Sequence, residues 1–307
     1  MASPQRRVKD AAKTAWRTGS RAALGVVSSE RVLNGASQLL QQLRYDVDGR
    51  RRQLAARRDP VVRPEIVDWT GSEPLRRSVL ERDAPWLRLD LAPQRVESPS
   101  MIGDEEKRYY VYLGRFYAGD GAVVELGPWL GASTARIVEG LGTNPKFDGG
   151  RVAVFDDFVW RSSWMDAHLP PDIDAPADGA SFRPLFERFA TPYLDRLDVQ
   201  TRRIGTPDAG SAAGDSAPPL TWEGGPIEMA FVDCGRTFDV NEAWYRVLSP
   251  HFLADRTLVV MQDWHTHRQV PARWYNQIKE FTDSLGPTFD LVHEVTVGGV
   301  ATFLYRG

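Results

Sequence analysis

The feature that most constrains this chain is an alternation, from residue 122 onward, of short apolar β-branched runs with helical stretches. The runs are Ala122–Leu126, Arg151–Phe155, Val199–Ile204, Ile227–Val232 and Thr257–Met261. Each is short, and all but Val199–Ile204 are nearly continuous in apolar character, as a strand covered on both faces must be. Helical patterns fall between most of them, at Ser133–Leu141, Ser181–Leu194 and Val240–Leu248. Strand and helix in turn predict a doubly wound, Rossmann-like α/β sheet that is mostly parallel. Two further runs, Phe289–Val295 and Val300–Tyr305, are separated only by a short segment ending in Gly298-Gly299. They read as a hairpin, so the sheet is expected to finish with an antiparallel pair.

Ahead of this pattern the charge changes sign. Residues 1–58 hold thirteen Lys/Arg against four Asp/Glu, a net +9, so the other 249 residues carry −12 of the overall −3. Val32, Leu33, Ala36, Leu39, Leu40, Leu43 and Val47 repeat at helical spacing, and Arg50–Arg52 and Arg57-Arg58 crowd the far end, where cations suit a helix dipole. The expected organisation is a basic helical arm over 1–60, an irregular Pro- and Arg-rich linker over 61–100, and one α/β domain over 101–307. Two readings stay open for the arm: a solvated helix that packs on the body or on a second copy, as in a homo-oligomer, or attachment to an anionic membrane surface. An acidic body argues against nucleic acid as a partner. The single Cys234 excludes an intramolecular disulfide and a multi-cysteine metal site. No run approaches the roughly 18 apolar residues of a membrane span, and Ala22–Val27 is short for a signal-peptide core. The expectation is a cytoplasmic protein, peripheral to a membrane if the arm docks there.

The most informative segment is GAVVELGPWLGAST, residues 121–134. A buried strand ends in Glu125, a turn with Gly127 and Gly131 follows, and a helix begins with Ser133 and Thr134. Glycines let backbone approach a ligand, and a helix N-terminus offers unpaired N–H groups. In an open α/β sheet ligands bind at the carboxyl ends of the strands. The second strand ends in Asp156-Asp157, 31 residues after Glu125, and a carboxylate there suits the two hydroxyls of a ribose. G-P-W-L-G departs from the G-x-G-x-x-G dinucleotide fingerprint, and GASTAR lacks the G-K-[ST] of a P-loop, which argues against ATP hydrolysis. Two insertions break the pattern: residues 157–180, rich in Trp, Pro and Asp and suited to a lid, and residues 206–226, expected as a mobile loop.

Taken in order, VVELGPWLGAST, VFDDF, PIEMAFVD (226–233) and QDWHTH (262–267), with SFRPLF (181–186), resemble the class I S-adenosylmethionine-dependent methyltransferases. The branch most similar is that of the macrolide-sugar and glycan O-methyltransferases. The resemblance covers about residues 100–305. It implies S-adenosylmethionine as cofactor, with Gly127, Gly131 and Ser133 in the donor turn, Glu125 supporting it, Asp156 on the ribose and Phe158 near the adenine. It implies a small-molecule or glycan acceptor and a catalytic group made of Asp233, Asp263 and nearby residues.

Removing the proton of an acceptor hydroxyl needs a base, or a metal that lowers its pKa. Asp233 and Asp263 with the amide oxygen of Gln262 would make an oxygen set for Mg²⁺. Related enzymes carry a second acid where Gln262 stands and a histidine base where Arg236 stands. An arginine holds its proton at ordinary pH. The base then falls to His265 or His267, and Arg236 becomes a group to hold an anion on the acceptor. Two functions remain: a sugar or glycan O-methyltransferase, or a catalytically impaired relative that serves as a binding or assembly subunit in a glycan biosynthetic pathway.

Overall fold

The structure is a computed structural model; it describes residues 84–94, 96–205, 217–265, 277–295 and 299–307. The basic arm over 1–60, the first part of the linker, residues 206–216 of the second insertion, and His267 lie outside the described residues.

Seven strands form one sheet in the order β3-β2-β1-β4-β5-β7-β6. They are β1 (Ala122–Leu126), β2 (Val152–Asp156), β3 (Leu197–Thr201), β4 (Ile227–Val232), β5 (Leu258–Met261), β6 (Phe289–Val295) and β7 (Val300–Tyr305). The first five pair in parallel, whereas β7 runs antiparallel to both β5 and β6. The doubly wound sheet with a final antiparallel pair is therefore as expected. Chain order runs outward from β1 through β2 to β3, then returns to the other side of β1 for β4. That reversal opens a crevice between β1 and β4 at their carboxyl ends.

The helices are α1 (Asp104–Leu113), α2 (Ala132–Gly142), the single-turn α3 (Ser162–Met165), α4 (Arg183–Ala190), α5 (Phe238–Leu248) and α6 (Gln277–Ser284). Period-two alternation of side chains sorts the sheet's residues between two cores. Val123, Val154, Met229, Phe231 and Val260 face one core, with Tyr109 and Leu113 of α1, Ile137 and Leu141 of α2, and Phe186 and Phe189 of α4. Val124, Leu126, Phe155, Ala230, Val232 and Val259 face the other, with Trp244 and Leu248 of α5 and Ile278 and Phe281 of α6.

Two differences from expectation have local causes. The helix expected over Ser181–Leu194 stops at Ala190 and continues as a 3-10 turn, Thr191–Arg196. Pro192 removes a backbone donor and its ring crowds the preceding turn, and Tyr193 swings to φ −142°. The edge strand β3 begins earlier than the expected Val199–Ile204, at Leu197 and Asp198, and ends at Thr201, because an edge strand tolerates polar residues on its open side. Of the three acids that open α1, Glu105 and Glu106 are buried.

Residues 84–94 and 96–100 hold little regular structure but lie against the body. Trp86 is buried against Tyr109 and its indole donates to Glu105 Oε1 at 3.2 Å. The 157–180 insertion is knitted closed: Trp160 N donates to Ala180 O at 2.8 Å, Gly179 N to Trp160 O at 2.8 Å, and Trp160 Nε1 to Asp166 Oδ1 at 2.8 Å.

Candidate functional site

The turn after β1 holds three residues in the left-handed region within five positions: Gly127 at φ +81°, Trp129 at +42° and Gly131 at +88°. At Gly127 glycine is required twice over. A Cβ there would sit 2.8 Å from the carbonyl oxygen of Asp233, closer than real contacts allow. Thus the backbone of the β1 turn packs directly on the end of β4. No side chain caps α2, so its first N–H groups are available at the crevice. Behind the turn, Ser133 Oγ donates to Glu125 Oε1 at 2.6 Å. Burial pushes the Glu125 carboxyl up to about 7, with the Ser133 and Thr134 hydroxyls drawing it back.

Asp156 closes β2 beside this turn. Its Oδ1 accepts from the backbone N–H of Phe158 at 2.6 Å, and Phe158 itself stands at φ +53°. Burial, then the adjacent Asp157 carboxylate, push Asp156 up to about 8. Asp157 is engaged elsewhere, with Arg161 Nη2 at 2.6 Å from its Oδ2. The Phe158 ring is enclosed by Phe182 and Phe186, at centroid distances of 5.3 and 5.4 Å, and has no exposed surface.

Across the crevice, the ends of β4 and β5 bring Asp233, Arg236, Gln262 and Asp263 together, and α1 adds Glu106 and Tyr110. Tyr110 Oη donates to Gln262 Oε1 at 2.6 Å, Gln262 Nε2 donates to Glu106 Oε1 at 2.5 Å, and Gly103 N donates to Glu106 Oε2 at 2.6 Å. This chain is buried. Burial pushes Glu106 up to about 8 and, followed by the charges of Asp233, Glu106, Glu125 and Asp263, raises Tyr110 well above its usual value. Asp233 shows an exposed edge to the cleft while protein crowds it from behind. That crowding, then the Asp263 carboxylate, hold its pKa above the usual range, and contact with solvent tempers the effect. Asp263, at φ +60°, pairs with Arg236 Nη2 at 2.6 Å.

The residues present do not fit the expected Mg²⁺. The amide oxygen of Gln262 is taken by Tyr110, and the Asp263 carboxylate faces a guanidinium rather than an open position. Among the described residues no group of three or more His, Cys, Asp and Glu side chains is arranged to hold a metal ion. His265 is buried at 2% exposure, with Nε2 3.0 Å from Glu294 Oε2 on β6. It therefore faces the hairpin.

Sequence reasoning passed over His168, in the insertion after β2. It is exposed, lies edge-on to Trp129 at 6.4 Å between ring centroids, and has its pKa lowered by partial burial and by the Arg236 charge. Among the described residues the other histidines are half-buried His251 and buried His265 and His293, and His251 lies at the opposite end of the sheet, next to the Ile227–Phe252 bridge. No periodicity marks a loop histidine, so its only signal was its place after the second strand. Glu106 and Tyr110 were missed because their partner stands more than 150 positions away.

The order 3-2-1-4-5-7-6 with an antiparallel seventh strand is the Rossmann-like methyltransferase fold. The chain matches no protein-family model and no curated protein. Among solved structures it is similar to the SAH-bound methyltransferase PaMTH1 of Podospora anserina, with 14% identity over 67% of this chain and 80% of that one and a TM-score of 0.39. It is similar to the O-methyltransferase NovP, with 13% identity over 68% and 83% and a TM-score of 0.42. A third is CalS11, a TDP-rhamnose 3'-O-methyltransferase of calicheamicin biosynthesis, with 11% identity over 76% and 88% and a TM-score of 0.41. Among the described residues no helix is long and apolar enough to cross a membrane.

Proposed function

We propose that this chain is an S-adenosylmethionine-dependent methyltransferase acting on a hydroxyl of a small sugar or glycan-like acceptor. The observation that carries this reading is the left-handed turn at the β1/β4 crevice, braced by Glu125 and Ser133 and flanked by Asp156 at the neighbouring strand end. The turn's backbone and Ser133 would hold the donor's amino-acid part. Asp156, whose Oδ1 meets a single backbone N–H, would accept from the ribose hydroxyls. When bound, the donor supplies a methyl group on a sulfonium, and the Asp233 carboxyl, which shows an exposed edge to the cleft, suits a nearby positive charge. His168 takes the acceptor proton: it is exposed at the cleft, and the lowered pKa leaves the imidazole neutral and able to accept.

The test is calorimetric titration with S-adenosylmethionine and S-adenosylhomocysteine, followed by turnover across a panel of methyl glycosides and nucleotide sugars. Absence of binding at millimolar concentration overturns the donor assignment. A second reading, a catalytically impaired binding or assembly subunit, is favoured by the Arg236–Asp263 pair and by the burial of His265 against Glu294. Donor binding without turnover across the panel selects it. For residues 1–58 we propose docking on an anionic membrane surface or on a second copy of the chain. Cosedimentation with phosphatidylserine vesicles at low and high salt and the sedimentation coefficient in solution separate the two.

A further inference from the structure

A turn with a tryptophan at φ +42° between two left-handed glycines is costly for the chain by itself. A bulky residue held there persists only where its surroundings over-determine it. Within the turn, Gly131 N donates to Pro128 O at 2.8 Å and Gly127 N reaches Phe155 O at 2.9 Å. Trp129 does not secure the turn by its own side chain: its buried indole N–H finds no acceptor among the described residues.

Two hydroxyls from outside meet consecutive carbonyls of this turn. Ser98, 5% exposed on the segment that crosses the body ahead of α1, donates to Leu130 O. That segment is itself tied to α2, since Ala92 N donates to Glu139 Oε1 at 2.8 Å and Arg136 Nη1 donates to Ala92 O at 3.0 Å. From the other side, Tyr193 Oη donates to Gly131 O at 3.3 Å. Tyr193 is brought there by the break at Pro192, which ends α4 and turns the next residue out of helical geometry. The two contacts come from segments nearly a hundred residues apart and close on the two consecutive peptide units that flank Gly131.

We infer that Ser98 and Tyr193 are positioning residues for the donor turn, holding the two peptide units on either side of Gly131 in their left-handed course so that the α2 N-terminus and Gly127 stay aimed at the crevice. This rests on the donor reading above. Neither residue touches the reacting atoms; each acts through the backbone it holds. The residues ahead of α1 thus belong to the donor site.

The experiment compares wild type with Ser98→Ala, Ser98→Thr and Tyr193→Phe, using S-adenosylhomocysteine as probe. Loss of one such hydrogen bond is worth a few-fold to about tenfold in affinity. Ser98→Ala and Tyr193→Phe are expected to weaken binding by that amount and to speed hydrogen exchange at the amides of residues 129–132 in the unliganded protein. Ser98→Thr, which keeps the hydroxyl, restores both. The denaturation midpoint reports whether each variant folds, and a purely structural role would shift that midpoint without local acceleration. Unchanged exchange and unchanged affinity in both hydroxyl-deleted variants overturn the inference. If wild type itself fails to bind S-adenosylhomocysteine, the donor reading falls, while the exchange measurement still decides whether the two hydroxyls hold the turn.

Discussion

Tyr110 and Gln262, 152 positions apart in the chain, meet at 2.6 Å on the floor of the cleft. The phenol donates to the amide oxygen, and the other end of the same amide holds Glu106. Removing the hydroxyl leaves a buried amide oxygen without its donor. Such an orphan costs about 1–3 kcal/mol. Tyr110→Phe should lower the stability measured by urea denaturation by that amount while leaving the denaturant slope unchanged.

Two buried acids and the half-buried Asp156 tie stability to pH. Glu106 is raised to about 8, Glu125 to about 7 and Asp156 to about 8. In each case the folded state holds its proton more tightly than the unfolded chain. Their stabilising contribution is present in full below the ordinary carboxylate range and is lost as pH rises through 7 to 8. The melting temperature should therefore fall between pH 5 and pH 8.5. Glu106→Gln should flatten that slope, since Gln262 can turn its amide over and still pair with the new amide and with Tyr110. An unchanged slope in this variant would show that Glu106 titrates normally.

Asp156→Asn separates a structural role from a binding one. The asparagine keeps an oxygen to accept from Phe158 N and so preserves the strand end. Above pH 8, where the Asp156 carboxyl is ionised, what the asparagine loses is charge, and hydrogen bonds to a charged acceptor are the stronger ones, so the comparison is made at pH 9. Affinity for S-adenosylhomocysteine should fall about 10- to 100-fold with the fold intact by circular dichroism.

His168→Gln tests the base. General-base catalysis contributes typically 10²- to 10⁴-fold, so kcat on a glycoside acceptor should drop by about that factor. Donor affinity should hold, because in the proposed reaction His168 meets the acceptor hydroxyl and not the donor. Loss of donor binding with kcat retained would place His168 in the donor site instead.

At Gly127 any side chain meets both a left-handed backbone and the carbonyl of Asp233. Gly127→Ala should destabilise the protein by about 2–4 kcal/mol, read as a shift in denaturation midpoint.

The sheet was legible because its central strands are short, apolar on both faces and separated by helices. β1, β4, β6 and β7 fall at the residues expected of them. What escaped was set by distance or by a single residue. Pro192 divides α4 from its 3-10 extension. α6 buries only Ile278, Phe281 and Thr282, one turn's worth of pattern, which is too little to stand out. In the site, strand-end acids could be read because a strand's carboxyl end is where an α/β crevice opens. The partners of those acids could not. Neither the inward turn of Glu106 nor the burial of His265 against Glu294 has a local signature, since each depends on an element far along the chain.

The placement of β7 has a consequence for how the protein is made. It lies between β5 and β6, although it is synthesised after both. Until residues 300–305 leave the ribosome, the outer edge of β5 is bare and β6 has nothing to pair with. Bare strand edges recruit other chains. The nascent protein thus carries its nearly finished cleft beside an open edge, and insertion of the last strand is what seals the two together.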